Sequence, residues 1–512
     1  MKTLLIYHSG EQNRNDPYIS LVPTGLCYLH ACLIEGGHDS MLANFSGWPV
    51  TRIERELLRI NPDVIGISQW THNRHVSLDL AERCRRLLPA CTIVMGGGHA
   101  TFCHDDILTN NPSVDIVIMG EGEQTLLELV KQLDNGSGWH HVNGIVFRLN
   151  GNITVTEPRN PLPDLDRLPQ PARYLDRSIG LDLQLQPEFI VTARGCPSAC
   201  RFCSSPAFWG RKVRFRSPGE IVNEILYIRQ NFGLIYFSIR DDTFTADRKR
   251  AIEFCSQLIN HNAGILWNCQ SRVNAIDEEL LIMMKHAGCE CIQLGVESGS
   301  PRILELLGKS IRPEQIERAC KLIRDIGINL SIYLISDIPG ETPDDIQQTI
   351  ELIRHIHPDD GYVSPLAYYP GTRLHSDAVA LGISSRSIFT ATDKNALYAS
   401  SHRGSSSKKL LAELSGNRQN DPMRFEQQKA RLGFCYTTNI IAGEWYRQRR
   451  RYKTAEKEFR EITEQHPQNP WGWFLLGELY AETGKLGKAR DCFRAVLQTV
   501  PRHAQSLSAL AT

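Results

Sequence analysis

The chain has 512 residues, of which 41% are hydrophobic and 22% charged, and its 57 basic and 57 acidic side chains give zero net charge. This length predicts about three domains, and the composition excludes a mainly disordered, collagen-like or coiled-coil protein. Zero net charge argues against a dedicated nucleic-acid binder, and no apolar run approaches the ~18 residues of a membrane span. Fifteen cysteines with no signal-peptide pattern are typical of a reducing compartment. We therefore expect a cytoplasmic protein without nucleic-acid partners.

Residues 1–140 alternate short apolar runs with amphipathic stretches, which predicts a doubly wound, Rossmann-like α/β domain. The predicted strands are residues 3–8, 64–68, 92–95 and 116–119. The predicted helices are residues 24–35, 51–60, 77–88 and 124–133. Because such sheets bind ligands beyond the carboxyl ends of their strands, we expect a site at residues 68–71, 96–101 and 120–123.

Residues 141–185 are predicted to be a connector that contains a hairpin at 145–149 and 153–156, followed by a proline-rich extended segment. Residues 186–380 resume the alternation. The predicted strands are residues 189–193, 235–239, 265–269, 291–296, 329–335 and 361–366. Six βα units in series favour a partial barrel with chemistry at the carboxyl ends of the strands. Residues 381–425 are predicted to be a linker or a segment that covers the barrel, with a mobile serine-rich stretch at 400–407.

The last segment, residues 426–512, contains a helical repeat. Its side chains match the offsets of the 34-residue tetratricopeptide unit: Trp473, Leu476, Gly477, Tyr480, Gly484, Ala489, Phe493 and Pro501. A second set lies one period earlier, which predicts two all-α hairpins and the start of a capping helix at 504–512. Two roles are open for this segment, a packing or self-association surface and a groove for a protein partner.

The central motif is Cys196-x-x-x-Cys200-x-x-Cys203, directly after the predicted strand 189–193. Three thiolates on one loop can converge on a metal centre. A structural zinc site requires four ligands, and no fourth cysteine or histidine is nearby. An iron–sulfur cubane can use three thiolates and leave one iron open. The motif therefore favours a cluster whose open iron binds a substrate or cofactor.

A CxxxCxxC loop after the first strand of a six-unit barrel resembles that of the radical S-adenosylmethionine (SAM) enzymes. The resemblance implies that Cys196, Cys200 and Cys203 hold a [4Fe-4S] cluster, whose open iron chelates SAM. It further implies that electron transfer, from a donor such as flavodoxin or ferredoxin, cleaves SAM to a 5′-deoxyadenosyl radical. Phe202 matches the aromatic residue that lies near the adenine in that family.

The ends of the next three predicted strands resemble SAM-binding motifs of the same family. Asp241 and Asp242 stand where many members have Gly-Gly-Glu; they look like the variant of the cobalamin-dependent branch, and whether either one touches SAM is open. Arg272 ends the third strand, where a cation could pair with the SAM carboxylate. Glu297 and Ser298 match a Gly-x-Glu-Ser-Gly motif whose members lie close to SAM.

The N-terminal region resembles the cobalamin-binding domain that precedes the barrel in this branch. The residues expected near the corrinoid are Ser68, Gly96, Gly97, Gly98 and Glu121. Consecutive glycines allow close approach to a bulky ligand, and an ordinary strand-to-helix turn is the alternative interpretation. None of the 17 histidines follows an aspartate by two positions. The Asp-x-His-x-x-Gly motif that ligates cobalt is thus absent, and we expect cobalamin to bind without a protein histidine.

The resemblance covers about residues 1–375 and implies a cobalamin-dependent radical SAM enzyme that acts on a small molecule. The expected reaction is methyl transfer to an unactivated carbon. Oxidative ring closure of the anaerobic porphyrin-ester cyclase type is the alternative within enzymes. A non-catalytic repeat scaffold with a degenerate barrel is the alternative from another class, and the intact cysteine triad argues against it. The sequence does not indicate which residues act on the substrate.

Overall fold

The computed structural model describes residues 1–10, 18–136, 138–391, 394–400, 404–416 and 422–511. These residues form two compact units. The first unit comprises Met1–Gln186, Gly195–Arg214 and Tyr368–Leu397, and the second comprises Pro187–Arg194, Phe215–Ala367 and Tyr398–Thr512. Within the described ranges, no helix combines the length and apolar character that a membrane crossing needs.

The first unit contains an eight-stranded sheet in the order β7-β6-β5-β4-β3-β1-β2-β8. Its strands are β1 (Lys2–Tyr7), β2 (Asp39–Asn44), β3 (Val64–Ser68), β4 (Thr92–Gly96), β5 (Ile116–Ile118), β6 (Ile145–Leu149), β7 (Asn152–Val155) and β8 (Ser178–Ile179). Its helices include α1 (Thr24–Glu35), α2 (Val50–Ile60), α3 (Arg74–Leu87), α4 (Gly98–Asn110) and α5 (Glu123–Asp134). One apolar core joins the sheet to α1 and α5, and a second joins it to α2, α3 and α4. The predicted doubly wound fold is confirmed.

This sheet is larger than the sequence predicts. The pattern does not predict β2, whose short run includes Asp39, Ser40 and Asn44, or α4, which begins at Gly98 in a stretch predicted to be a loop. The predicted hairpin is present as β6 and β7, and β6 pairs antiparallel with β5. Residues predicted to be a connector therefore extend the N-terminal sheet.

The second unit contains a six-stranded parallel sheet in the order β16-β15-β14-β13-β12-β9. This confirms the predicted partial barrel. The strands in this region are β9 (Phe189–Ile190), β10 (Ala193–Arg194), β11 (Arg214–Phe215), β12 (Tyr236–Ile239), β13 (Leu266–Ser271), β14 (Cys289–Glu297), β15 (Asn329–Ser336) and β16 (Asp360–Pro365). The helices of the second unit here are α7 (Pro218–Phe232), α8 (Arg248–Asn260), α9 (Glu278–His286), α10 (Pro301–Leu306), α11 (Pro313–Ile326) and α12 (Pro343–Ile356). Two further helices, α6 (Ser205–Trp209) and α13 (Arg373–Ala380), belong to the first unit.

The C-terminal helices include the two hairpins that the repeat predicts, formed by residues 436–465 and 470–499. These helices are α14 (Ser405–Gly416), α15 (Pro422–Leu432), α16 (Tyr436–Gln448), α17 (Tyr452–Gln465), α18 (Pro470–Glu482), α19 (Leu486–Thr499) and α20 (Ala504–Ala511). A Cβ at Gly443 would lie 2.2 Å from the Phe459 ring, and one at Gly477 would lie 2.7 Å from the Phe493 ring. These two contacts are 34 residues apart and close each hairpin in the same way.

The segment predicted to be a linker, residues 381–425, includes α14 and the start of α15. Residues 401–403 of the serine-rich stretch lie outside the described residues, and so do 392–393 and 417–421. The domain boundaries at residues 140, 185, 380 and 425 stay a prediction.

Candidate active site

The three cysteines of the central motif lie on an irregular loop between β10 and α6. Cys196 is buried, whereas Cys200 and Cys203 are half-buried. The amide of Cys203 donates to the carbonyl of Cys200 at 3.4 Å, so these two residues share one turn. The amide of Cys196 donates to the carbonyl of Gly210 at 3.3 Å, which anchors the start of the loop.

A glycine is required where this loop begins. Gly195 has φ +106°, and a Cβ there would lie 2.6 Å from the Lys212 carbonyl oxygen. The loop can therefore approach residues 210–212 only with glycine at this position. Arg201 ties the middle of the loop to α13 through an ion pair with Asp377 at 2.5 Å.

The donors on this loop are three cysteine thiols. The three thiols of a cubane bind three different irons, so their sulfurs stand farther apart than the ligands of one ion. Three soft donors on one loop match that need. We therefore take Cys196, Cys200 and Cys203 as the ligand set that a cluster would use.

Asp241, one of the two aspartates at the end of β12, holds the segment that leads into the cysteine loop. Its Oδ1 accepts hydrogen bonds from the amides of Thr192 and Ala193, at 2.6 and 2.9 Å, and its other oxygen accepts one from the Thr192 hydroxyl. Burial raises the pKa of Asp241, while nearby Arg250 acts in the opposite direction. These bonds use the backbone amides that a continuous strand would donate, and this explains why the predicted strand 189–193 is divided into β9 and β10. Asp242, by contrast, is exposed.

Glu297 lies at a distortion of β14. Its φ is +65°, and the register between β14 and β15 shifts between Gly295 and Glu297. A left-handed backbone at a residue other than glycine costs on the order of 1 kcal/mol or more and occurs often at functional sites. Glu297 Oε1 accepts a hydrogen bond from Lys309 Nζ at 2.6 Å, and both side chains are buried. No sequence motif marks Lys309, which lies twelve residues after the glutamate.

The other residues predicted to contact SAM differ in exposure. Ser298 is buried, and its hydroxyl lies 3.1 Å from the Thr349 hydroxyl and accepts from the Ser300 amide. Arg272 and Phe202 are half-buried. Ser298 thus has partners that shape the turn after β14.

The carboxyl edge of the N-terminal sheet has the features of a ligand crevice. The chain passes from β1 to β2 on one side and to β3 on the other, so β1 and β3 flank a topological switch point, where open α/β sheets bind ligands. A Cβ at Gly120 would meet no atom within 4 Å, and the nearest atom to one at Gly96 would be 3.8 Å away. The backbone at this edge is open, which fits a bulky corrinoid.

The triple glycine has two different roles. A Cβ at Gly97, where φ is +105°, would lie 2.6 Å from the Gln69 carbonyl oxygen, and one at Gly98 would lie 3.2 Å from the Trp70 ring. Close packing within the chain therefore explains why glycine is needed at positions 97 and 98. Of the three glycines, only Gly96 has free space where a side chain would lie.

Glu121 and Ser68, also predicted to lie near the corrinoid, have partners within the chain. Glu121 forms a buried ion pair with Arg214 and accepts a hydrogen bond from the Leu162 amide at 3.2 Å. The Ser68 carbonyl accepts from Asn73 Nδ2 at 3.2 Å. Arg214 was not singled out by the sequence, since the contact spans 93 positions.

The histidines of this edge are held by neighbouring side chains. His99 is buried, with Nδ1 3.2 Å from the Thr71 hydroxyl, and burial lowers its pKa to about 3. His72 Nε2 lies 2.9 Å from the Tyr7 hydroxyl. These contacts favour structural roles for both residues.

Three family models match the chain: the radical SAM superfamily at residues 190–353, the B12 binding domain at 18–130 and the tetratricopeptide repeat at 446–511. An uncharacterized methyltransferase of Pyrococcus horikoshii is 32% identical over 365 residues, which are 70% of this chain and 78% of that protein. An anaerobic magnesium-protoporphyrin IX monomethyl ester cyclase of Rubrivivax gelatinosus is 30% identical over 375 residues, which are 70% of this chain and 66% of that one. Among solved structures, the radical SAM methyltransferase TsrM of Kitasatospora setae, with cobalamin and a [4Fe-4S] cluster bound, matches with a TM-score of 0.64 and 15% identity, covering 91% of this chain and 100% of that chain.

Proposed function

The chain belongs to the cobalamin-dependent radical SAM enzymes, and we propose that it transfers a methyl group to an unactivated carbon of a small metabolite. As a member of this family it is an enzyme whose cofactors are a [4Fe-4S] cluster, SAM and cobalamin. When bound, the cluster and SAM supply a radical that removes a substrate hydrogen, and cobalamin supplies the methyl group. The similarity to proteins named as methyltransferases supports this reaction.

One observation carries the proposal: the segment 195–214, which contains the cysteine loop, packs in the same compact unit as the cobalamin-type sheet. Arg214, at the end of this segment, pairs with Glu121 in the loop after β5, and the rings of Phe208 and Phe102 meet at 6.4 Å. Methyl transfer that follows hydrogen abstraction needs the cluster and the corrinoid close together. A rigid connection between their binding loops serves that need.

We assign the following roles to the residues. Cys196, Cys200 and Cys203 hold the cluster, and Phe202 lies against the adenine. Arg272 binds the SAM carboxylate by a charge-assisted hydrogen bond. Asp242, Glu297 and Ser298 belong to the SAM pocket, and Asp241 is a positioning residue that fixes the backbone before the cysteine loop. An electron donor of the flavodoxin or ferredoxin type reduces the cluster.

The cluster assignment is tested by changing Cys196, Cys200 and Cys203 to Ala together. Anaerobically reconstituted wild-type protein should hold about four irons per chain and absorb broadly near 400 nm, as expected of a [4Fe-4S] centre. The triple variant should lose both signals, because no other thiol lies on this loop. A matched change of the buried Cys255 and Cys320 to Ala should leave them intact. An undiminished cluster in the triple variant would contradict the assignment.

The reaction is tested with SAM that carries a deuterated methyl group. The protein is incubated with metabolite extract from a strain that lacks it, and products are followed by mass spectrometry. We expect one product that gains a labelled methyl group, together with 5′-deoxyadenosine. Oxidative ring closure is the second candidate, favoured by the similarity to the Rubrivivax cyclase. A product that gains no label would support the cyclase reaction against ours.

A further inference from the structure

The concave face of the six-stranded sheet carries a layer of polar and aromatic side chains toward the carboxyl ends of its strands. Arg240 follows β12, Gln270 lies on β13, Gln293 on β14 and Tyr333 on β15. Successive side chains of a strand point to opposite faces. The neighbours of these residues along their strands are buried on the helix-covered side: Ile239, Cys269, Ile292, Leu294, Ile332 and Leu334. The four polar residues therefore share the open face.

Toward the amino ends of the same strands, a second set of polar side chains forms hydrogen bonds within the set. The Tyr236 hydroxyl donates to Glu290 Oε1 at 2.7 Å and accepts from Asn268 Nδ2 at 2.8 Å. Asn329 Nδ2 donates to Glu290 Oε2 at 3.0 Å, and the Ser238 hydroxyl donates to Asn268 Oδ1 at 3.0 Å. Burial raises the pKa of Glu290. This layer forms a closed floor, and a ligand would lie above it.

Above the floor, two tyrosines offer a flat surface. The rings of Tyr333 and Tyr362 stack with centroids 5.3 Å apart and an interplanar angle of 17°. The Tyr333 hydroxyl donates to Gln293 Oε1 at 2.8 Å, which fixes its ring. Tyr362 is 53% exposed. A large exposed aromatic ring held parallel to a second one favours a flat conjugated partner.

A positively charged side chain, that of Arg240, lies on the same face of the sheet. Arg240 is exposed, its guanidinium lies 5.6 Å from the Phe189 ring centroid, and within the described part of the chain it forms no ion pair. Phe189 pairs with Ser238 of β12, whose hydroxyl belongs to the floor, so the Phe189 ring and the guanidinium lie on the same face of the sheet as the tyrosines. Burial raises the pKa of neighbouring Glu188 to about 7, while Arg240 acts in the opposite direction. The guanidinium of Arg240 and the two tyrosine rings therefore border the same space on this face of the sheet.

From this arrangement we infer that the substrate has a flat conjugated ring system and a carboxylate. The ring lies against Tyr362, the carboxylate pairs with Arg240, and polar ring atoms meet the amides of Gln270 and Gln293. A planar guanidinium matches a carboxylate with two parallel hydrogen bonds, and its one positive charge balances one negative charge. This inference rests on the proposed function and names the substrate class for it.

The test is calorimetric titration of the anaerobic holoenzyme with three probes: 2-naphthoate, which is flat and anionic, 2-naphthamide, which is flat and neutral, and cyclohexanecarboxylate, which is anionic and not flat. We expect 2-naphthoate to bind about tenfold more tightly than either of the others. Arg240→Gln should remove its advantage over the amide, since a charge-assisted hydrogen bond is lost. Tyr362→Ala should weaken both naphthalene probes about threefold to tenfold, and Tyr362→Phe should not.

Arg318→Gln, a change at an exposed position on α11, should leave all three affinities unchanged. Equal affinity for 2-naphthoate and cyclohexanecarboxylate, or an undiminished preference in Arg240→Gln, would overturn the inference. SAM cleavage without substrate separates the two proposals. The control Arg318→Gln should form 5′-deoxyadenosine at the wild-type rate, whereas failure of the wild-type protein to form it would refute the proposed function and leave the probe result standing.

Discussion

Replacing Lys309 by Met should destabilise the second unit and slow SAM cleavage. The ammonium lies 2.6 Å from Glu297 Oε1, and the side chains of Lys309 and Glu297 are only 7% and 9% exposed. At an effective dielectric constant of about 20, two unit charges at this distance attract by about 6 kcal/mol. Desolvation offsets much of that gain, but removing one partner leaves a buried, unpaired charge, which costs about 3–5 kcal/mol. We expect a loss of that size in the free energy of unfolding, measured by urea denaturation.

A matched control is Lys321→Met, whose ammonium pairs with Asp325 at 2.5 Å on the surface of α11 and whose side chain is 76% exposed. Its effect should stay within about 0.5 kcal/mol. The double variant Glu297→Gln/Lys309→Met removes both charges and should be more stable than Lys309→Met alone. If Lys309→Met unfolds at the same urea concentration as Lys321→Met, the pair does not fix Glu297 and the reasoning is refuted. If it is destabilised but cleaves SAM at the wild-type rate, Glu297 does not contact SAM.

Three further predictions concern the first unit. Gly96→Val should abolish retention of hydroxocobalamin after desalting while leaving the cluster intact, because only this glycine of the three has open surroundings; Gly487→Val on α19 is the control, and equal retention in both would contradict the site. His99→Gln should flatten the pH dependence of stability between pH 6.5 and 4.5. The folded-state pKa of His99 is about 3, below the unfolded value of about 6.5, so the unfolded chain binds more protons in this range. The stability of the wild-type protein therefore decreases as the pH is lowered. Melting temperatures that fall in parallel would show that His99 does not titrate in this way. Glu121→Gln should speed iron loss to a chelator several-fold, since the ion pair with Arg214 anchors the cysteine segment, and an unchanged rate of loss would refute that role.

The fold could be predicted from the sequence wherever local pattern decides it. Alternating apolar runs predict the parallel strands of both sheets, and the 34-residue period predicts the C-terminal hairpins. Strand β2 is not predicted because polar residues, Asp39 and Asn44, stand at its two ends and interrupt the apolar pattern. Its buried residues Leu42 and Ala43 lie between β1 and β8. Helix α4 is not predicted because a glycine with φ +105° allows the chain to turn from β4 directly into a helix at Gly98. Neither feature has a periodic signature.

The site could be predicted only in part. The residues of each motif are close together in the sequence, but the side chains that hold a motif in place come from distant parts of the chain. The three cysteines are close in sequence and were identified together. The groups that hold them in place come from far along the chain: Asp241 reaches Thr192 across 49 positions, and Arg201 reaches Asp377 across 176. Side-chain burial also changes how a motif is interpreted. Asp241 and Asp242 look equivalent in the sequence, yet three hydrogen bonds commit the first to the backbone and leave the second at the surface.

The ion pair between Glu121 and Arg214 connects the loop after β5 to the segment that contains the three cysteines. Glu121, which the sequence predicts to lie near the corrinoid, follows β5 at the open edge of the cobalamin-type sheet, next to Gly120. Its carboxylate is held by Arg214, which also donates to the carbonyls of Leu162 and Trp209. The segment 195–214 is therefore fixed to the corrinoid edge at its carboxyl end and, through Arg201 and Asp377, to α13 near its middle. Two anchors on either side of Cys203 restrict how far the cluster ligands can move relative to the cobalamin edge. The proposed methyl transfer needs this restriction, because reacting groups displaced by about 1 Å lose large rate factors.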